Sequence, residues 1–240
     1  MKVAAFVVSE GPTPEAALAT MNRAWPAYAE EMDRRGLWRI GRELELPETA
    51  VTVRVRDGET LVTDGPFAET KEFVAGFDVL DCVDLDEAVE VETKNPVAQF
   101  HPFELRPFLD GLRLGPGVPA FGQGDDSAGS PYLLTGWVGE TPAGRGDEAV
   151  RQECDAWRQE LETRGLLVLG NALGGPETAR TMRPQDGEMR LSDGPFLDTT
   201  EFIASVDVVS CADRQQATEL AATHPLARDH AIEVRPFYSE

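Results

Sequence analysis

The sequence predicts an α+β fold in which two copies of one ferredoxin-like unit pack against each other as an internal pseudo-dimer. The first observation behind this is a repeat. Asp64-Gly65-Pro66-Phe67 recurs as Asp193-Gly194-Pro195-Phe196, 129 residues further on. The same shift carries Glu72-Phe73 to Glu201-Phe202, Cys82 to Cys211, His101 to His230 and Arg106-Pro107-Phe108 to Arg235-Pro236-Phe237 without a gap. Matches held in one register over about a hundred residues mark a duplication. The second observation is the order within each copy: strand, helix, strands, helix, strand. The third follows from it, because helices on one face of such a sheet leave the other face to be buried elsewhere, and the sister copy is the obvious cover.

In the first copy Val3 to Val8 reads as a buried strand, and Pro14 to Arg35 as a helix that Gly36 ends. Leu37 to Leu46 and Ala50 to Arg56 read as strands, with Asp57-Gly58 as a hairpin turn into Thr60 to Thr63. Asp64-Gly65-Pro66 forms another turn before the strand Glu72 to Cys82, followed by a helix over Leu85 to Thr93 and a closing strand over Phe103 to Phe108. The domains are therefore a first repeat over 1–108 and a second over 131–240. Between them, 109–130 is rich in Gly and Pro, has no periodicity and reads as a linker.

Composition bounds the function. A hydrophobic fraction of 41% and a charged fraction of 27% belong to a globular protein with a real core. The net charge is −21, and residues 1–108 alone carry 11 Lys and Arg against 21 Asp and Glu, so neither half is a basic arm. This argues against nucleic acid or an anionic membrane as partner, while a basic protein partner fits the charge; a further homodimer is a separate expectation. The apolar run Val3 to Val8 is too short for a signal peptide and nothing is long enough to span a bilayer, so the expected location is the cytoplasm. Cys82, Cys154 and Cys211 include no CxxC pair, and no phosphate loop or EF-hand spacing occurs. No metal and no cofactor is expected.

Candidate chemistry comes from strand alternation. In Glu72 to Cys82, Phe73, Ala75, Phe77 and Val79 share one face, and Glu72, Val74, Gly76, Asp78, Leu80 and Cys82 the other. If the apolar faces pack on helices, the mixed faces line a cleft between the copies. Asp78 and Asp207, with Glu72 and Glu201, are then the candidate acids or bases for a lyase- or isomerase-type proton transfer on a small molecule. An ionised carboxylate inside a strand needs compensation, and Arg106 and Arg235 on the closing strands are the expected partners or anion receivers. A structural ion pair explains the same residues. Asp64 and Asp193 could present carboxylates at a cleft rim, although Asp, Gly and Pro are also what a tight turn demands. His101 and His230 occupy equivalent loops where an acid or base could sit. A non-catalytic interaction module is the alternative reading.

The string Asp64-Gly65-Pro66-Phe67-Ala68-Glu69-Thr70-Lys71-Glu72 resembles the signature of DGPF proteins in the YCII-related group. The second copy keeps Asp193 to Phe196, Thr199 and Glu201 and departs at Leu197, Asp198 and Thr200. The resemblance implies a dimeric α/β barrel, here built within one chain, with a cleft between its sheets. It also implies a minority of enzymes acting on small ring compounds, and a link to extracytoplasmic-function sigma factors. Some relatives carry a His on the first helix and an Asp just before a Pro; here those positions hold Trp25 and Asn95 in copy one, and Cys154 and His224 in copy two.

Overall fold

The computed structural model describes residues 1–68, 71–116, 129–139, 147–196 and 200–238. Most of the linker, and motif residues 69–70 and 197–199, lie outside the described residues. Copy one contributes β1 (Lys2–Ser9), α1 (Glu15–Arg35), β2 (Trp38–Glu43), β3 (Val51–Arg56), β4 (Glu59–Asp64), β5 (Phe73–Asp81), α2 (Leu85–Thr93) and β6 (Phe103–Pro107). A two-residue strand, β7 (Arg113–Leu114), follows inside the span expected to be plain linker, and pairs with a strand of copy two. Copy two contributes β8 (Ser130–Val138), α3 (Asp147–Thr163), β9 (Leu167–Ala172), β10 (Arg180–Gln185), β11 (Glu188–Asp193), β12 (Phe202–Cys211), α4 (Arg214–Thr223) and β13 (Ala231–Pro236).

The strands form two antiparallel sheets, in the orders β11-β10-β6-β1-β5-β2 and β4-β3-β13-β8-β12-β9-β7. The hairpin of each copy has left its own sheet and extended the other's. β10 pairs with β6, and β3 with β13 in the equivalent register. The Asp-Gly turns make these hairpins possible: Asp57 and Asp186 both have φ 53°, with Gly58 and Gly187 near 80°, the left-handed pair that a two-residue turn requires.

The two sheets face each other across an apolar core. Phe6, Phe77 and Val79 from copy one meet Leu133, Val206 and Val208 from copy two, and Phe108 and Phe237 close its ends. The fold is thus a pair of ferredoxin-like repeats joined as an intrachain pseudo-dimeric α/β barrel. Helices cover the outer faces: Val3, Ala5 and Leu80 pack under α1 and α2, and Leu134, Val209 and Cys211 under α3 and α4. This reverses the expected assignment of faces. The apolar set Phe77 and Val79 lies between the copies, while Asp78 and Leu80 point outward to the helices.

A bulge adds a second change. Val7 pairs with Gly76 but Val8 with Val74, so Ala75 is left over; the same slip skips Ala204 in copy two. An extra residue flips the alternation. Val74 and Ile203 therefore join the core between the sheets, although simple alternation puts them on the same face as Asp78 and Asp207.

Candidate functional site

The closing strands show first what the signature motif does. Arg106 is 1% exposed and pairs with Glu104, two residues back on the same face of β6. It also donates to the carbonyls of Ile203 (2.9 Å) and Gly174 (3.3 Å), and Glu104 accepts from the Phe196 amide at 2.9 Å. The mirror arrangement holds in the other direction. Arg235 pairs with Glu233 and donates to the Val74 carbonyl, and Glu233 accepts from the Phe67 amide at 3.0 Å. Each Asp-Gly-Pro-Phe turn is thus latched to the other copy through its Phe amide, with Gly65 and Gly194 at φ 100° and 97° to make the bend. The expected pairing of Arg106 with Asp78 and Arg235 with Asp207 is corrected: both arginines face the core between the copies, and both aspartates face away from it.

Other expected site residues are scattered. Asp64 and Asp193 are exposed at the ends of edge strands, Asp193 held by Arg180 at 2.7 Å. Glu72 forms a two-point pair with Arg183 of the exchanged hairpin, and Glu201 stands exposed at the equivalent place. Between the sheets, the gap beside Glu104, Arg106 and Trp137 holds about 10 Å³.

The large cavity lies instead beneath α3 in copy two, with about 1060 Å³. Its mouth is framed by Gly139, Asp229, His230 and, from the exchanged hairpin of copy one, Arg56. Its inner wall carries Cys154, Arg158, Ala204, Ser205 and Leu226. Ser205 is 3% exposed and its hydroxyl has no hydrogen-bond partner among the described residues. It occupies room left by Gly136 across the strand pair, where a Cβ would come within 2.4 Å of Ser205 Oγ.

Below that wall is a buried charge cluster. Arg158 donates from Nε to Asp207 Oδ1 (2.5 Å) and from Nη2 to Oδ2 (3.2 Å), and His224 Nε2 stands 3.4 Å from the same Oδ2. Burial works to raise the Asp207 pKa, but the Arg158 charge and the bonds from His224 and Arg158 outweigh it and hold the carboxyl below its ordinary range. Burial pushes His224 down, so its ring is neutral. Its Nδ1 accepts from the Leu226 amide and caps the 3-10 turn Pro225–Arg228, packed edge-on against Trp157. Cys154 is buried and its thiol is pushed up to about 12, so it is no activated nucleophile despite its place in the helix.

The register shift finds the counterparts in copy one. Its mouth is framed by Glu10, Phe100, His101 and, from the hairpin of copy two, Gln185, around a cleft of about 690 Å³. None of its lining comes from α1. Deeper in, Trp25 stands where copy two has Cys154, Ala29 where it has Arg158, Gly76 where it has Ser205 and Val7 where it has Gly136. His101 Nε2 is 2.9 Å from Thr13 Oγ1, tying down the loop after β1. Asp78 is buried near Glu92, whose pKa rises to about 8, first from burial and then from the Asp78 charge. Asn95 donates to Glu92 Oε2 at 2.7 Å and caps the turn Pro96–Gln99 as His224 does in copy two.

Arg158 and Glu92 escaped the sequence reading. A signal for the first was present: Val150, Cys154, Trp157 and Leu161 form the apolar stripe of α3, and Arg158, four residues after Cys154, lies within it. A charge on such a stripe needs a buried partner. Asn95-Pro96 and His224-Pro225 likewise carry the signature of a capped turn.

The chain matches the family model of the YCII-related domain over residues 1–110 and 137–239. It is 46% identical over 65 residues to an uncharacterized protein of Rhizobium meliloti (strain 1021), an alignment taking in 26% of this chain and 52% of that one. The chain thus spans about half the length of the curated relative it matches. Among solved structures it is similar to a dye-decolorizing peroxidase from Bacteroides thetaiotaomicron, with TM-score 0.42 and 8% identity over 99% of this chain and 93% of that one. A heme-binding protein from Thermus thermophilus gives TM-score 0.41 and 8% identity over 99% and 91%. Likenesses this distant carry no functional weight. Among the described residues no helix is long and apolar enough to cross a membrane.

Proposed function

We propose, from the premise that this chain belongs to the YCII-related domain family, that it binds a small organic molecule in the cleft beneath α3 of the second copy. One observation carries the reading: a cavity of about 1060 Å³ whose inner wall presents a buried hydroxyl, Ser205, with no partner among the described residues. A volume in that range suits a small-molecule site, and an unpaired buried hydroxyl gains a hydrogen bond when a ligand supplies one. Residues 1–108 and 131–240 act as two repeats joined by 109–130, but the site belongs to neither alone, since Arg56 of the first repeat frames the mouth in the second. The test is a thermal-shift screen of small organic compounds on the native protein and on Cys154→Trp, which places in the cavity the side chain that copy one has at that position. A compound that raises the native midpoint and leaves the variant unmoved supports the site. Equal shifts in both proteins reject it.

Lyase- or isomerase-type proton transfer is the second reading, and His230 favours it. This imidazole lines the mouth of the cavity, where a ligand can reach it. Asp207 fits the acid role poorly, being held ionised by Arg158. In deuterium oxide, His230→Gln should still bind a ketone ligand but lose exchange of its α-protons. Unchanged exchange rejects His230.

A further inference from the structure

We infer that the ligand of the copy-two cleft is an uncharged, mainly apolar molecule that offers a carbonyl or hydroxyl oxygen to Ser205. This deepens the proposed function and rests on it. Every guanidinium on the lining is already engaged. Arg158 is committed to Asp207, with Asp155 at 3.6 Å; Arg151 pairs with Glu148; and Arg56 donates to the Arg228 carbonyl at 2.7 Å and that of Asp229 at 3.4 Å. Against those arginines stand the lining carboxylates Asp110, Glu148, Asp155 and Asp229, on a protein whose net charge is −21. An anion reaching past the exposed Arg56 at the mouth meets only arginines already paired with carboxylates and leaves its hydration behind, which is costly.

A cation fares no better at depth. Glu148 and Asp155 lie at the solvated mouth, with side chains 68% and 57% exposed, where an ion pair is worth little. The apolar part of the lining is made of the half-buried Val138, Val150, Phe202 and Ala204 and the buried Leu226. Within it the Ser205 hydroxyl is both donor and acceptor, so it serves a ligand carbonyl or hydroxyl equally. Copy one supplies an internal control, since Gly76 and Val7 replace Ser205 and Gly136 there, removing both the hydroxyl and its space.

The test uses probes that share one ring and differ in charge: cyclohexanone, cyclohexanecarboxylate and cyclohexylamine, titrated into the full chain and followed by amide chemical shifts. Cyclohexanone should bind about tenfold more tightly than either ion. Ser205→Ala should weaken it about fivefold, the worth of one neutral hydrogen bond, while leaving the fold intact by circular dichroism. Cys154→Trp should abolish binding. If an ion binds as well as the ketone and Cys154→Trp removes it, the site stands and the inference of an uncharged ligand is overturned. Ketone binding that ignores Ser205→Ala overturns the assigned contact. If no probe moves the amides around the cavity, the site and the inference fall together.

Discussion

The helix-side faces of the two copies hold a carboxylate at the same strand position in opposite ways. Asp207 is given a cation: Arg158 reaches down from α3, and the carboxyl stays ionised under a neutral His224. Asp78 is given another acid: Glu92 comes from α2, and burial and then the Asp78 charge raise its pKa to about 8 against the bonds from Asn95 and Tyr28. Copy two has Cys154 where copy one has Trp25, and Cys154 lines a cavity of about 1060 Å³, whereas copy one holds a carboxyl, Glu92, that keeps its proton well above the ordinary range. Between the sheets, by contrast, the copies agree residue for residue in the latches Glu104-Arg106 and Glu233-Arg235. A repeat that packs on its twin is constrained where the two meet and free to diverge where they face away.

The largest effect that tests this contrast is expected from Arg158→Met. It strands the Asp207 charge in the interior and should cost about 3–5 kcal/mol in denaturant unfolding. Adding Asp207→Asn should recover more than half of that. The pair also sets an acid limit: because the Asp207 pKa is depressed, its contribution is present above the ordinary carboxylate range and lost as pH falls through the lowered value. A native-like midpoint for Arg158→Met would break the contrast.

The next effect has the opposite sign and belongs to copy one. The raised pKa of Glu92 means that between 4.5 and about 8 the folded state keeps a proton that the unfolded state releases, so stability declines as pH rises through that window. Glu92→Gln keeps the shape and the bond from Asn95 but removes the titration. It should be more stable than the native protein at pH 8 by on the order of 2 to 3 kcal/mol, the gain fading toward pH 4.5. A gain that does not depend on pH would show that Glu92 is not the group titrating.

Much of this architecture was legible in the sequence, and the limits of legibility are physical. The duplication, the Asp57-Gly58 and Asp186-Gly187 turns and every helix were readable because each rests on local chemistry. Which sheet a hairpin joins is decided by long-range pairing, and nothing within Ala50 to Thr63 distinguishes its own sheet from its twin's. The face assignment failed for a related reason. Alternation gives two faces but not which one meets the helices, and the bulges at Ala75 and Ala204 reverse the alternation partway along. Asp78 and Asp207 were rightly singled out as buried carboxylates needing compensation. Their partners come from helices, three to four residues from positions that were considered, and only packing brings them together.

The smallest expected effect concerns the mouths of the clefts. In copy one Thr13 and His101 hold the loop from Ser9 to Thr13, and Ser9 adds a hydroxyl bond to the Gly11 carbonyl at 2.6 Å. Thr13→Val should cost about 1 kcal/mol, the usual worth of a partly buried neutral hydrogen bond, and should speed amide exchange through residues 9–13. The native protein should itself weaken in acid. Burial lowers the His101 pKa, opposed by its bond to the Val8 backbone, so the unfolded chain takes up a proton below about 6.5 before the folded one does and stability falls with pH. Cutting this tether should loosen the mouth of the copy-one cleft while leaving Trp25 in place. Ligand binding in copy one after Thr13→Val alone would mean that the tether, not the tryptophan, is what separates the two clefts.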